Sequence, residues 1–282
     1  MSARENLPLC DRPIGVFDSG LGGLSALREI HACMPGENLI YFGDTGRVPY
    51  GTKSQQTIRT YAEQDMRFLA GMQPKAIVIA CGTVSSVAPD ACKEMFSGTV
   101  LGVIEPACRA ALCGGAKRIG VLATQATVNS GAFVRTLQNS DSAAQVLQIA
   151  CPLFVPLVEN GFFDADDPVP QLVAKRYLRP MEAWKPDAVI LGCTHYPHLR
   201  PAIAAALPGV PLIDTGAEVA KALKKSLAEN NLCTARKTGE LQFFVSDAPE
   251  SFSAAAQIFL GQTIETVRRV TLIGQTLTLV QQ

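Results

Sequence analysis

One eight-residue stretch occurs twice in this chain, and it narrows the possible folds more than any other feature. Pro74-Lys75-Ala76-Ile77-Val78-Ile79-Ala80-Cys81 aligns with Pro186-Asp187-Ala188-Val189-Ile190-Leu191-Gly192-Cys193. Proline, alanine and cysteine coincide, and the positions between them match in apolar character. A short, unbroken apolar run reads as a strand buried on both faces, the usual setting of a parallel sheet. A second, weaker echo pairs Ile14-Gly15-Val16-Phe17 with Ile119-Gly120-Val121-Leu122. The cysteine lies 66 residues after Gly15 in the first half and 73 after Gly120 in the second. Two ordinary buried strands can resemble each other by chance, but two echoes at similar spacing argue for two related units.

Further short apolar runs at 38–42, 101–104 and 211–213 alternate with helical periodicity over 21–34 and 57–70. Strands alternating with helices predict an α/β architecture with parallel sheets. In such sheets ligands bind beyond the carboxyl ends of the strands, so the residues that follow each run are the candidates for chemistry.

Composition removes several partner classes. The 25 basic and 25 acidic residues of the 282 cancel, leaving no field to attract nucleic acid or an anionic membrane. No apolar run approaches the roughly 20 residues of a membrane span. Residues 1–13 carry charges and proline rather than a signal-peptide core, so a cytoplasmic protein without a large N-terminal regulatory element is expected. The nine cysteines are odd in number and show no Cys-x-x-Cys spacing, and the three histidines (His31, His195, His198) add no metal cluster. Neither a disulfide framework nor a metal is expected. Cys10, Cys33, Cys92, Cys108, Cys113, Cys151 and Cys233 read as small buried hydrophobes.

Cys81 and Cys193 read differently, because each ends one of the matched strands. Packing is the ordinary role of a cysteine at a strand end. A matched pair facing across a cleft, however, offers one thiol to each side of a ligand. Racemisation needs that geometry: one group removes a proton from one face while the other delivers a proton to the opposite face. Each cysteine precedes an expected helix start, and a helix N-terminus lowers a thiol from about 8.5. Asp18-Ser19-Gly20-Leu21-Gly22-Gly23 can cradle an anion on backbone N–H groups, or can be a tight turn in which Asp18 or Ser19 caps the next helix. It matches neither a dinucleotide fingerprint nor a phosphate-binding loop ending in Gly-Lys-Ser/Thr. Asp44-Thr45-Gly46-Arg47 with Pro49-Tyr50-Gly51 is either part of a site or a rigid loop. Thr127 reads as a helix cap. His195, two residues after Cys193, can act as an acid/base or orienting group. Glu159 is one of few acids inside an apolar stretch.

In these segments the sequence resembles glutamate racemase. The matching stretches are 15–24, Tyr41-Phe42-Gly43-Asp44-Thr45, Val48-Pro49-Tyr50-Gly51, Cys81-Gly82-Thr83, Leu122-Ala123-Thr124, Pro156-Leu157-Val158-Glu159, 191–197, and Ser246 with Pro249-Glu250-Ser251-Phe252. The resemblance covers about residues 13–272. It implies two pseudo-symmetric parallel-sheet α/β domains facing across a central cleft, one formed by 11–104 plus 214–282 and the other by 105–213. It implies a cofactor-independent interconversion of L- and D-glutamate for peptidoglycan synthesis, with no metal, and a homodimer. It carries over Cys81 and Cys193 as the acid/base pair and Asp18, Glu159 and His195 as residues assisting them. Asp18, Ser19, Pro49, Tyr50, Gly51, Gly82, Thr83, Thr124, Thr194 and His195 fall at substrate-lining positions. Aspartate racemases, similar in outline, tend to carry an acid where His195 stands.

Gly82 departs from the family pattern, which has asparagine after the first cysteine. The missing hydrogen bond to a charged group costs about 1.5–3 kcal/mol, unless the space admits a water or a differently shaped substrate. The alternatives are therefore a racemase for another amino acid, or a weakly active relative with a binding or regulatory role, as in family members that inhibit DNA gyrase.

Overall fold

The computed structural model describes residues 7–274 and 276–280. Residues 1–6, the first part of the stretch read as lacking a signal peptide, lie outside the described residues, as do 275, 281 and 282 of the expected first domain.

Among the described residues, eleven strands form two sheets. They are β1 (Ile14–Asp18), β2 (Leu39–Gly43), β3 (Ala76–Ile79), β4 (Thr99–Gly102), β5 (Arg118–Ala123), β6 (Gln145–Ala150), β7 (Ala188–Leu191), β8 (Leu212–Asp214), β9 (Leu241–Val245), β10 (Val267–Ile273) and β11 (Thr276–Leu279). One sheet has the order β11-β10-β9-β2-β1-β3-β4 and the other β6-β5-β7-β8. Read from β4 and from β8, the two share the order 4-3-1-2 and 8-7-5-6. The register agrees as well. Ile14 pairs with Ala76 across β1 and β3, and Ile119 pairs with Ala188 across β5 and β7. These are the same residues that match in the two sequence echoes, so the repetition in the sequence is a repetition of structure.

β1, β2, β3 and β7 are buried along their whole length, which explains their unbroken apolar character. All pairings are parallel except that of β10 with the edge strand β11. The expectation of parallel sheets therefore needs this correction at one edge of the larger sheet. Partial exposure of β10 and β11 leaves room for polar residues, which blurs their pattern. β6 was not legible either: Gln-Val-Leu-Gln-Ile-Ala occupies a half-exposed edge and mixes polar with apolar residues. The run at 101–104 is divided, since β4 ends at Gly102 and Ile104 begins the helix Ile104–Cys113.

Helices cover both sheets. Gln55–Gly71, with Ser54 capping Thr57 N–H, lies over the first sheet. Between the sheets one apolar core runs continuously from Val16, Leu24 and Tyr41 of the first unit to Leu122, Leu191 and Tyr196 of the second. The chain returns to the first unit through the helix Thr215–Glu229, which Asp214 caps from β8 and which packs on the helix Leu24–Cys33. This shared core holds the carboxyl ends of the two sheets against each other.

All nine cysteines are free. Cys92, Cys108 and Cys151 are buried as expected. Cys113 and Cys233 are exposed and Cys10 and Cys33 half-buried: Cys33 and Cys113 end helices, Cys10 lies in the single 3-10 turn Leu9–Asp11, and Cys233 lies in a loop.

Candidate active site

A cavity of about 300 Å³ opens where the carboxyl ends of both sheets meet. Cys81 enters it two residues after the end of β3 and Cys193 two residues after the end of β7, so equivalent strands deliver the two sulfurs at the same offset. From the first unit Ser19, Pro49, Tyr50, Gly51, Gly82 and Thr83 line it, and from the second Thr124, Glu159, Thr194 and His195. Of the expected substrate-lining residues only Asp18 is absent from the wall. Its carboxylate is buried at the end of β1 behind the surface, where its charge acts on both Cys81 and His195.

The glycine-rich stretch is a tight turn, but neither Asp18 nor Ser19 caps the helix Leu24–Cys33, whose N-cap is Gly23 with no side-chain hydrogen bond. Asp18 Oδ2 accepts from Gly20 N–H at 2.9 Å, and Gly23 N–H also faces this carboxylate. The backbone donors are thus turned inward on a side chain of the turn itself. Burial pushes the Asp18 carboxyl up, against the influence of His195 and these N–H groups. Thr124, rather than Thr127, caps the helix Gln125–Ser130. Its hydroxyl also meets Thr83 Oγ1 at 3.0 Å, a polar bridge between the two units.

The two thiols have unlike surroundings. Cys81 heads the helix Gly82–Val87 and donates to Ser19 Oγ at 3.6 Å. Burial, reinforced by Asp18, nevertheless pushes its thiol up to about 12, outweighing the helix N–H groups and Ser19. The expectation that the helix start lowers this thiol is corrected: desolvation of a buried sulfur beside a carboxylate is the larger effect. Cys193 Sγ lies 3.8 Å from His195 Nδ1, and His195 Nε2 lies 3.0 Å from Glu159 Oε1. Burial alone would lower His195, but hydrogen bonds and charges from Cys193 and Glu159 raise it to about 10. His195 is therefore an imidazolium at neutral pH, between a carboxylate and a sulfur.

Tyr50 and its neighbours form the lip of the cavity. Tyr50 Oη donates to Asp44 Oδ2 and, at 3.2 Å, approaches Asp65 Oδ2. Arg47 reaches Asp44 at 2.6 Å and Asp65 at 2.9 Å while its guanidinium stacks on Tyr61. Burial, reinforced by Asp44, pushes the Asp65 carboxyl well up. The segment at 44–51 is thus the rigid loop and part of the site at once.

Gly82 does not leave open space. A Cβ built there would overlap the carbonyl oxygen of Gly192, well inside the 3.0 Å that real Cβ atoms respect. The room expected for a water or a differently shaped substrate is filled, at the Cβ position, by the opposite loop.

Cys151, Val155 and Pro156 also line the cavity, together with Gln125 and Tyr196. Cys151 directly follows β6. The rule that sites lie beyond strand ends would have found it had β6 been legible. Among the described residues no group of three or more His, Cys, Asp or Glu side chains is placed to hold a metal ion, and no helix is long and apolar enough to cross a membrane.

The model of the Asp/Glu/Hydantoin racemase family matches residues 14–223. The chain belongs to this family. It is an enzyme, a racemase of that family's kind. It is 43% identical over 272 residues to the glutamate racemase of Chlorobaculum parvum, a match covering 95% of this chain and 99% of the relative. The crystal structure of the Francisella tularensis glutamate racemase in complex with D-glutamate superposes with a TM-score of 0.88 at 38% identity, covering 93% of this chain and 98% of that one. The Thermus thermophilus enzyme, solved with β-chloro-D-alanine, gives 0.85 at 44% identity over the same shares. These glutamate racemases thus match nearly the whole length of the chain, and the two solved ones share its fold.

Proposed function

We propose that this chain interconverts L- and D-glutamate by passing the α-proton between two thiols, without a cofactor. The observation that carries this reading is that Cys81 and Cys193 line one small cavity from equivalent strands of opposite units. Glutamate as substrate follows from the similar enzymes, one of which holds D-glutamate.

The chemistry follows from the two environments. Cys193, beside His195 Nδ1, acts as the base and takes the α-proton; Cys81, held protonated, gives its proton to the opposite face of the same carbon. The electron pair left by the broken C–H bond stays on the α-carbon and the adjoining carboxylate until the new C–H bond forms. Hydroxyls of Thr83, Thr124 and Thr194 and the N–H groups that open the helix Gly82–Val87 hold that carboxylate. For the other enantiomer the thiols exchange roles. Glu159 keeps His195 charged and oriented, and Asp18 is a positioning residue behind Cys81.

This reading includes the remaining expectations. The chain divides into domains 11–104 plus 214–282 and 105–213, acts as a homodimer in the cytoplasm, and supplies D-glutamate for peptidoglycan. Its test is the circular dichroism of L-glutamate, and separately of D-glutamate, incubated with purified protein and no added cofactor. Both signals decay to zero if the reading is right. Folded protein that changes neither, or that racemises another amino acid in preference, refutes glutamate as the substrate.

A further inference from the structure

Thr127 is wholly buried and stands behind the cavity wall, yet its side chain ends a row of hydroxyls that reaches the cavity. Thr83 Oγ1, on the wall contributed by the first unit, meets Thr124 Oγ1 of the second unit at 3.0 Å. Thr124 Oγ1 in turn meets Thr127 Oγ1 at 3.0 Å and accepts Thr127 N–H at 3.4 Å. Ser86 lies beside both ends of the row: its hydroxyl donates to Thr83 O at 2.8 Å and stands 3.4 Å from Thr127 Oγ1. Thr124 is the cap of the helix Gln125–Ser130, so capping leaves the Thr127 hydroxyl unexplained.

Each hydroxyl has one proton to give and two lone pairs to receive with, and this sets the direction of the row. Thr127 is shut off from solvent, so its proton goes to an oxygen of the protein. Thr124 Oγ1 is the nearer acceptor at 3.0 Å, whereas Ser86 Oγ at 3.4 Å lies beyond the ordinary span of a bond between hydroxyls. Thr127 therefore donates to Thr124. The proton of Thr124 then cannot point back along the same contact, and turns toward Thr83 or toward the cavity. If it goes to Thr83, the proton of Thr83 is left for the cavity. If it goes to the cavity, Thr83 donates to Thr124. Either order presents a proton of the Thr83–Thr124 pair to the cavity.

We infer that Thr127 is a positioning residue whose hydroxyl, from behind the cavity wall, aims the Thr83–Thr124 pair at the carboxylate of the ligand. The inference rests on the reading above, in which those two hydroxyls hold the α-carboxylate, and adds to it what orients them. Hydrogen bonds in a row polarise one another in a low-dielectric interior, so the bond that Thr124 receives makes the pair a stronger donor. Valine at 127 keeps the branched shape of threonine without the hydroxyl, and serine keeps the hydroxyl without the methyl group. The two substitutions therefore separate orientation from packing.

The experiment measures steady-state racemisation of L- and D-glutamate by wild type, Thr127→Val and Thr127→Ser. Thr127→Val is expected to lower kcat/KM about tenfold, the net worth of one hydrogen bond. The larger share should fall on KM, because the carboxylate is held in the ground state and the transition state alike. Thr127→Ser is expected to stay close to wild type. A valine variant that matches wild type, or a serine variant that falls as far as the valine one, overturns the inference. In a Thr124→Val background the further change Thr127→Val is expected to add little, since the second group acts through the first; a second full loss overturns the inference. Neutron diffraction from wild-type crystals exchanged into D2O reads the direction of the row without any variant or turnover. A deuteron on Thr127 Oγ1 aimed at Thr124 Oγ1 is expected, and one on Thr124 Oγ1 aimed at Thr127 overturns the inference. A wild type that fails to racemise glutamate would refute the glutamate reading, and the deuteron would still decide the direction.

Discussion

His195 presents Nε2 to Glu159 Oε1 at 3.0 Å, joining a nearly buried imidazole to a carboxylate that is 40% exposed. The open side of the pair faces water and the closed side faces Cys193. Glu159→Gln keeps the shape and removes the charge. His195 then loses one of the two groups that raise it, so the alkaline limb of the kcat profile is expected to move to lower pH, with kcat at neutral pH down about tenfold, or about 1.4 kcal/mol. A pH–rate profile with an unmoved alkaline limb would show that Glu159 does not act through His195.

Cys81→Ser and Cys193→Ser are each expected to reduce racemisation by about 1,000-fold or more, since a hydroxyl replaces the acid/base group on one face. The double variant is expected to be little worse than either single one, because the two groups work as a unit. Initial rates from both enantiomers check this. Either single variant that keeps most of the activity removes the two-thiol mechanism.

Two histidines are expected to tilt the stability profile in opposite directions. His195 is raised in the fold from 6.5 to about 10, so its contribution is full below pH 6.5 and is lost as pH rises through 10. His198, beside the Phe259 and Phe163 rings, is lowered to about 4 by burial and then by Arg28 and His195. Its contribution is present above pH 6.5 and is lost as pH falls toward 4. Melting temperatures from pH 4 to 10 should therefore fall at both ends. His198→Phe should flatten the acid side and His195→Gln the alkaline side; a variant that flattens neither contradicts the assignment.

Tyr50→Phe removes the donor that Asp44 and Asp65 share. Leaving buried carboxylate oxygens without it is expected to cost about 1–3 kcal/mol of stability and to raise KM more than it lowers kcat, since the lip loosens while the thiols stay in place. Denaturant unfolding and steady-state kinetics separate the two effects. Unchanged stability would mean that Arg47 alone satisfies the pair.

Most of the site was legible because parallel strands buried on both faces advertise themselves. The apolar runs ending at Cys81 and Cys193 needed no knowledge of their neighbours, and their match in sequence became a match in strand order and register. Cys151 was missed because its strand lies at a half-exposed edge. The raised Cys81 thiol was missed because burial depends on what the rest of the chain brings near, whereas a helix start is local. Gly82 is the clearest case: the sequence shows an absent side chain, and only the fold shows that the opposite backbone occupies the space.

The chain crosses between its two units twice, between β4 and the helix Ile104–Cys113 and again where β8 gives way to the helix Thr215–Glu229. Those two helices pack on each other, so the crossings lie close together. Two adjacent covalent links behave like the two leaves of a door hinge: they allow rotation about one axis and resist twisting about the others. A motion that opened the cavity would thereby be confined to a single swing, and on closing it would return the two sulfurs to the same alignment.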